Sequence, residues 1–401
     1  MRLPLCATTL ALASSLVAQG VVPPFQIGTT NPLPGIGATA LPVTSVQQIH
    51  AIHLPSDPPQ VFLCGITVTG LAPANGGVGG QDLLTGRYDA LTDTFTPDND
   101  AAALNTSGTE FGMMIHSSGL YAVFDRLPGP PQLAMRPNPT SPWQWVAAIS
   151  GLPSQSYYDP ALADVQGVTH LLHVLGADIA MAPIDLSTGA LTGPSVVIVR
   201  AAQPGGTANS PTPVTDSRGE LIGVSHHDLL ASDNDHRMSL DLDPNTPSVL
   251  FNDTASWTNN GAFVGGRFLD AEDSPGPYHV LAIDSYWCAG GRAAVGAPME
   301  IRAFVPPSAG TDLYLSFLMV GTGFLPAGAA FPGVLGELGL GSVVIGIVMP
   351  PHTNANGETS LTLTVPNDPT LSGAVIAVQS ALLTASSGSL TLGNTAALTI
   401  L

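Results

Sequence analysis

Residues 158–176 read YDPALADVQGVTHLLHVLG, from Tyr158 to Gly176, and this stretch decides the fold class. A short alternating segment runs into a turn at Asp164–Gly167 and returns as the apolar run Val168–Leu175. Period-2 alternation on both sides of a glycine-bearing turn predicts a β-hairpin. The outline recurs in Glu110–Arg126 (EFGMMIHSSGLYAVFDR, turn at Ser118–Gly119) and Ser210–His227 (SPTPVTDSRGELIGVSHH, turn at Asp216–Gly219). It recurs again in Arg267–Asp284 (turn at Ser274–Gly276) and, more loosely, in Ile49–Ile66 (turn at Ser56–Gln60). Five copies spaced by roughly 50 residues fall in the range where a fixed period means propeller blades or solenoid units.

Each copy is trailed by a second turn signature: Tyr88–Asp93, Met135–Thr140, Ile184–Gly189 and Leu240–Asn245. Asp and Asn bond their own backbone two residues on, Pro fixes φ and Gly supplies φ > 0. An inner hairpin followed by an outer one predicts a four-stranded blade, and five blades predict a propeller. The Pro- and Gly-rich segment Gln19–Pro42 is expected to supply the outermost strand of the last blade, which removes two exposed sheet edges.

Composition agrees with an all-β chain. Forty-four Gly and 37 Pro among 401 residues leave no room for long helices, and only 10% of residues are charged. All ten basic residues are Arg, which removes P-loop, Schiff-base and Ser–Lys chemistry. With a net charge of −19 and no basic stripe, nucleic acid and anionic membrane surfaces are excluded as expected partners. Neutral polysaccharides, other polar ligands and cations remain. From Ala289 onward five acids face two arginines, a net of −3, so −16 falls on the rest; this shift marks a domain boundary.

Met1–Ala18 has the charge, apolar stretch and small residues of a secretory signal peptide, so an exported or surface-held protein is expected. No later run is long enough for a membrane span. The expected domains are thus the signal peptide (1–18), the propeller (19–288) and an antiparallel β-sandwich (289–401). The sandwich strands are expected at Met299–Val305, Leu313–Val320, Ser342–Met349, Thr359–Val365, Gly373–Ser380 and Ser389–Ile400. Here Asn354–Gly357, Val365-Pro366-Asn367-Asp368-Pro369, Leu371-Ser372-Gly373 and Val378-Gln379-Ser380 resemble a C-terminal module of uncharacterised secreted bacterial proteins. That resemblance implies an exported β-sandwich appendage with no assigned chemistry.

Two readings stand for Cys64 and Cys288: a disulfide stapling first blade to last, or two separate buried thiols.

Propellers bind ligands on the axis. Counting back about nine residues from each inner turn gives Glu110, Tyr158 with Asp159, Ser210 and Arg267, and the first blade offers His50. This set resembles the five-bladed glycosidases of the arabinanase and β-xylosidase kind, with Asp159-Pro160 matching an Asp-Pro at an inner strand. The resemblance implies hydrolysis by a carboxylate pair, Glu110 and Asp159, with His50, Tyr158, Ser210 and Arg267 on the ligand. The family's first-blade Asp is replaced by His50, and its fourth-blade Glu by Ser210. Structural roles for these residues, as channel lining or backbone caps, are the competing reading. So is a non-catalytic surface or adhesion protein with the sandwich as its attachment module.

A second cluster, His226-His227-Asp228 with Ser232-Asp233-Asn234-Asp235-His236, reads as a solvated acidic loop between strands. If it held a metal, His227, Asp228, Asp233 and Asp235 would be the ligands and calcium the ion. Four tryptophans offer a sugar-stacking platform or plain packing, and no Gly-x-Ser-x-Gly elbow is present.

Overall fold

The computed structural model describes residues 25–26, 31–32, 41, 43–153, 159–230, 233–240, 242–246, 248–252, 258–272, 279–290, 292–307, 313–321, 323–351, 355 and 357–401. Among them the chain is built from β-strands, joined by turns and three single-turn 3₁₀ segments.

Five antiparallel blades follow one another. Blade 1 runs Ser45–Ile52, Val61–Thr69, Gln81–Asp89 and Thr94–Pro97; blade 2 runs Thr109–Ile115, Tyr121–Leu127, Gln132–Met135 and Gln144–Ala148. Blade 3 has Ala161–Val165, Val168–Leu175 and Asp178–Asp185, with Ala190–Leu191 and Val196–Val199 sharing its outer edge. Blade 4 has Thr207–Thr215, Leu221–Leu230, Asp233–Ser239 and Val249–Asn252. Blade 5 has Thr258–Val264, Arg267–Glu272 and His279–Ala289. Its outer edge is covered by the N-terminal segment, with Phe25 opposite Tyr286 and Asn31 opposite Ala282.

Local chemistry writes these turns. Val165 pairs with Val168 across Gln166 and Gly167, at φ of 53° and 73°. Two left-handed residues in a two-residue loop make the hairpin turn whose twist matches the strands. In the outer turns Asp89, Asn138, Asp185 and Asp243 each accept the backbone N–H two residues on, from Leu91, Thr140, Ser187 and Asn245. The signatures predicted from sequence act through the bond that defines them.

The blades close into a ring. Leu54, Leu63 and Leu83 of the first blade pack with Met113, Phe124 and Trp143 of the second. Blades 2, 3 and 4 share the cluster of Met114, Leu171, Ile179 and Val224, and blades 4 and 5 that of Val214, Met238, Phe268 and Ile283. The last seam returns to the start: Val46, Ile66 and Tyr88 of blade 1 pack with Ala262, Val264, Leu269 and Val280 of blade 5. Arg267 spans it, donating to both oxygens of Asp284 (2.7 and 3.2 Å) and to Ala90 O (3.3 Å). A linear stack would leave the first and last blades apart.

Two expectations are corrected. In blade 5 the innermost strand is Thr258–Val264, so Arg267–Asp284 forms its second and third strands. The sequence TNNGAFV carries too many polar residues to read as a strand, and it meets Arg267–Glu272 through the tight Gly265-Gly266 turn; the Ser274–Gly276 turn lies outside the described residues. The Cys64–Cys288 disulfide is also overturned: both thiols are free and buried. They occupy different cores, Cys64 in the closing seam and Cys288 in the sandwich.

The reason is the strand His279–Ala289, which outruns its blade. Trp287–Ala289 pair with Arg302–Phe304, and the strand Pro298–Phe304 pairs in turn with Glu358–Thr364. Alternation along it sends Trp287 and Ala289 towards the blade 4–5 core and Cys288 into the sandwich core. The facing sheet comprises Val343–Val348, Tyr314–Gly321, Val375–Thr384 and Leu390–Ile400, with Arg292–Ala293 and Val334–Leu335 joined to the last.

Candidate ligand cleft

The inner strands of blades 1, 2 and 4 end in turns on one side of the ring, and the sandwich strands carrying Arg302, Phe304 and Glu358 lie over that side. Between them is a cavity of about 630 Å³. His50 and His53 reach it from blade 1, Ile115–Ser118 from blade 2, Asp164 from blade 3, Thr212–Gly219 from blade 4 and Phe263 from blade 5.

His50 is buried, and its Nδ1 accepts the Ile115 N–H at 3.0 Å. That bond places the imidazole proton on Nε2, and burial pushes the group down to about 4, so the ring is neutral. His116 is buried at the mouth of the blade 2 turn, its Nδ1 2.9 Å from Ser118 Oγ and its Nε2 3.2 Å from Asp164 Oδ1. His116 first, and the Thr169 hydroxyl (2.7 Å), hold the Asp164 carboxyl below its ordinary value against the opposing effect of burial.

The other charges in the cleft are paired. Asp216 accepts from Arg218 Nε (2.9 Å) and Nη2 (2.6 Å) and from the amides of Arg218 and Glu220. Ser217 donates to Glu300 at 2.6 Å, and Arg302 donates to Thr215 O and to Glu358. Phe304 stacks on Trp287 at 3.9 Å between centroids and 17° between planes, and Phe263 leans on Trp287 at 5.0 Å. The result is an apolar wall facing hydroxyls, imidazoles and ion-paired guanidinium groups.

No family model matches the chain, and no curated protein matches it. Among solved structures it is similar to regucalcin, a calcium-binding protein of Agrobacterium tumefaciens strain C58, at 13% identity. The match covers 66% of this chain and 95% of that one, with a TM-score of 0.34. The blade assignment stands on strand register and seam packing.

Of the residues singled out from sequence, His50 lines the cleft. Glu110 does not: its carboxylate is wholly buried and accepts the Thr106 N–H (3.1 Å), the Thr106 hydroxyl (2.5 Å) and Arg126 Nε (2.9 Å). Asp159 is wholly buried between blades, taking the Ser210 hydroxyl at 2.7 Å while its own N–H donates to Asp125 at 3.0 Å. Both Asp159 (φ 41°) and Ser210 (φ 51°) adopt left-handed backbone, and they tie blade 3 to blade 4. Arg267 closes the ring, and Tyr158 lies outside the described residues. Counting back to the strand starts reached the opposite ends of the inner strands from the cleft.

His226–Asp228 and Asp235–His236 do not lie in a solvated loop, and Ala231 and Ser232 lie outside the described residues. They sit on the paired blade 4 strands Leu221–Leu230 and Asp233–Ser239, where His227 pairs with His236 and Asp228 with Asp235. All four are buried, because both faces of a blade are covered by its neighbours. Asp228 accepts the amides of Ala202 (2.9 Å) and Gln203 (3.2 Å), Asp235 accepts Arg237 (3.0 Å), and His236 meets Asp270 at 2.8 Å. Among the described residues no group of three or more His, Cys, Asp or Glu side chains could hold a metal ion; Asp233 is described only as the strand partner of Leu230.

What sequence reasoning missed is Asp164, His116 and Ser118. They stand in the turns used to define the repeat, where polar residues read as punctuation.

Proposed function

We propose that the chain is an exported binding protein that holds a neutral glycan in the cleft between the propeller and the sandwich. The observation that carries this reading is convergence: hydrogen-bonding side chains from four blades meet an apolar wall shared by Phe263 and Phe304. A pocket with an apolar lining and a few placed polar groups suits a sugar's mixed faces. Neutrality follows from charge. The chain carries −19, and the cleft's two arginines are already engaged by Asp216 and Glu358. Export rests on residues 1–18 of the sequence.

Hydrolysis by Glu110 and Asp159 is not part of the proposal, since each is committed to buried partners away from the cleft. Calcium at the blade 4 hairpin is omitted too, because Asp228 and Asp235 are engaged by backbone amides and Arg237.

The test is a screen of the purified chain against an array of neutral oligosaccharides, followed by calorimetric titration of the tightest binder. Phe263→Leu and Arg218→Gln each weaken that binding about tenfold, close to 1.4 kcal/mol. Unchanged affinity in both variants would overturn the assignment of the cleft.

A further inference from the structure

Ser118 is exposed at the tip of the blade 2 turn, inside the cleft. Its Oγ accepts the Leu120 N–H at 3.2 Å, which leaves the hydroxyl proton free to point at His116 Nδ1, 2.9 Å away. That nitrogen also receives the Ser118 N–H at 3.3 Å, so it presents a lone pair and the ring proton resides on Nε2. Nε2 lies 3.2 Å from Asp164 Oδ1 as an ion-pair contact without hydrogen-bond alignment, and the same oxygen accepts the Thr169 hydroxyl at 2.7 Å. Hydroxyl, imidazole and carboxylate therefore neighbour one another in that order across two blades.

The turn holds them tightly. Gly119 N–H donates to His116 O at 2.7 Å with φ at 70°, and a Cβ at Gly119 would meet Leu54 at 2.8 Å. Gly219 of blade 4 is wedged against Ser117, where a Cβ would come within 2.5 Å of its hydroxyl. This contact brings the neighbouring Arg218, whose side chain is 52% exposed, to the same part of the cleft.

We propose that Ser118, His116 and Asp164 form a hydrolytic relay that cleaves uncharged carboxylic esters in this cleft. The base nitrogen is Nδ1 and the oriented one Nε2, the reverse of the serine-protease arrangement with the same order of roles. Ser118 Oγ attacks the ester carbonyl carbon as its proton passes to His116 Nδ1. The tetrahedral adduct collapses, the C–O bond to the alcohol breaks, and the alcohol leaves with the proton from Nδ1. Water then attacks the acyl-serine, again giving its proton to Nδ1; the acid departs, and the proton returns to Ser118 Oγ. The sum is ester plus water to acid plus alcohol. Asp164 touches no substrate; it is a positioning residue that fixes the imidazole tautomer.

The relay shares the cleft of the proposed glycan site, but its test does not depend on a glycan. The full chain is treated with a fluorophosphonate probe, the modified residue is located by peptide mass, and p-nitrophenyl butyrate hydrolysis is followed in parallel. The expected result is a single adduct on Ser118 and a drop of at least 100-fold in kcat/KM in Ser118→Ala, an exposed change that leaves the fold intact. Asp164→Asn is expected to lower kcat at least tenfold with KM within twofold, and Asp164→Glu to restore part of it. Ser187→Ala, in an outer turn of blade 3, changes neither readout. Absence of the adduct, or hydrolysis by Ser118→Ala within threefold of the wild type, overturns the relay. Glycan binding that persists in that case leaves the binding reading standing alone.

Discussion

Asn394 of the sandwich takes the place of a strand beside Cys288: its Oδ1 accepts the Cys288 N–H at 2.6 Å and its Nδ2 donates to Cys288 O at 2.9 Å. One side-chain amide thus satisfies both backbone groups of a wholly buried residue at the point where the propeller strand enters the sandwich. Replacing Asn394 by Leu keeps the volume and strands both groups. Each unpaired buried group costs about 1–3 kcal/mol, so a loss of about 3 kcal/mol is expected in urea unfolding monitored by tryptophan fluorescence.

Glu110 gives a prediction that separates stability from binding. Glu110→Ala leaves the Thr106 amide and Arg126 without their acceptor and is expected to destabilise by about 3 kcal/mol. Glycan affinity measured by calorimetry should stay within twofold. A large loss of affinity at unchanged stability would return Glu110 to the binding site.

Acid should weaken the fold through its buried histidines. Burial lowers His50 to about 4 and His226 to about 3, the latter helped by His227 and Arg237. Below about pH 6.5 the unfolded chain binds protons that these folded residues refuse, so stability falls as pH drops from 6.5 towards 4 for His50 and towards 3 for His226. For His50 alone this amounts to about 3 kcal/mol. Thermal unfolding from pH 7.5 to 3.5 should show the decline, and His50→Gln should remove the share that His50 contributes while leaving that of His226.

The thiols should be silent. Desolvation raises Cys64 well above its ordinary value and Cys288 to about 11, and neither is exposed. In a chain lacking residues 1–18, which carry the third cysteine, Cys6, Ellman's reagent should leave both unmodified in the native state and titrate both after unfolding without reductant. Two thiols missing after unfolding would mean a disulfide.

The ring was legible because its turns carry their own chemistry. Gln166-Gly167, Asp185 and Asp243 act through local bonds that need no tertiary partner, so spacing alone counts the blades. The polar interior was not legible. Alternation cannot distinguish an Asp facing water from one, like Asp228, held by amides of a loop 25 residues away. Nor can it tell which end of the ring the sandwich covers. That depends on His279–Ala289 running on to pair with Arg302–Phe304, a register set by Trp287 and Cys288 facing different cores. Of the candidates named from the sequence, His50 of the first blade is among the residues lining the cleft, while Glu110, Asp159, Ser210 and Arg267 are not.

The most direct test is hydrogen–deuterium exchange of the full chain with and without the tightest neutral oligosaccharide from the array. Slower exchange confined to residues 50–55, 115–120 and 212–219 is the predicted result. Protection centred on residues 106–110 and 207–210, with the turn segments unchanged, would contradict it and return the ligand to the far end of the inner strands.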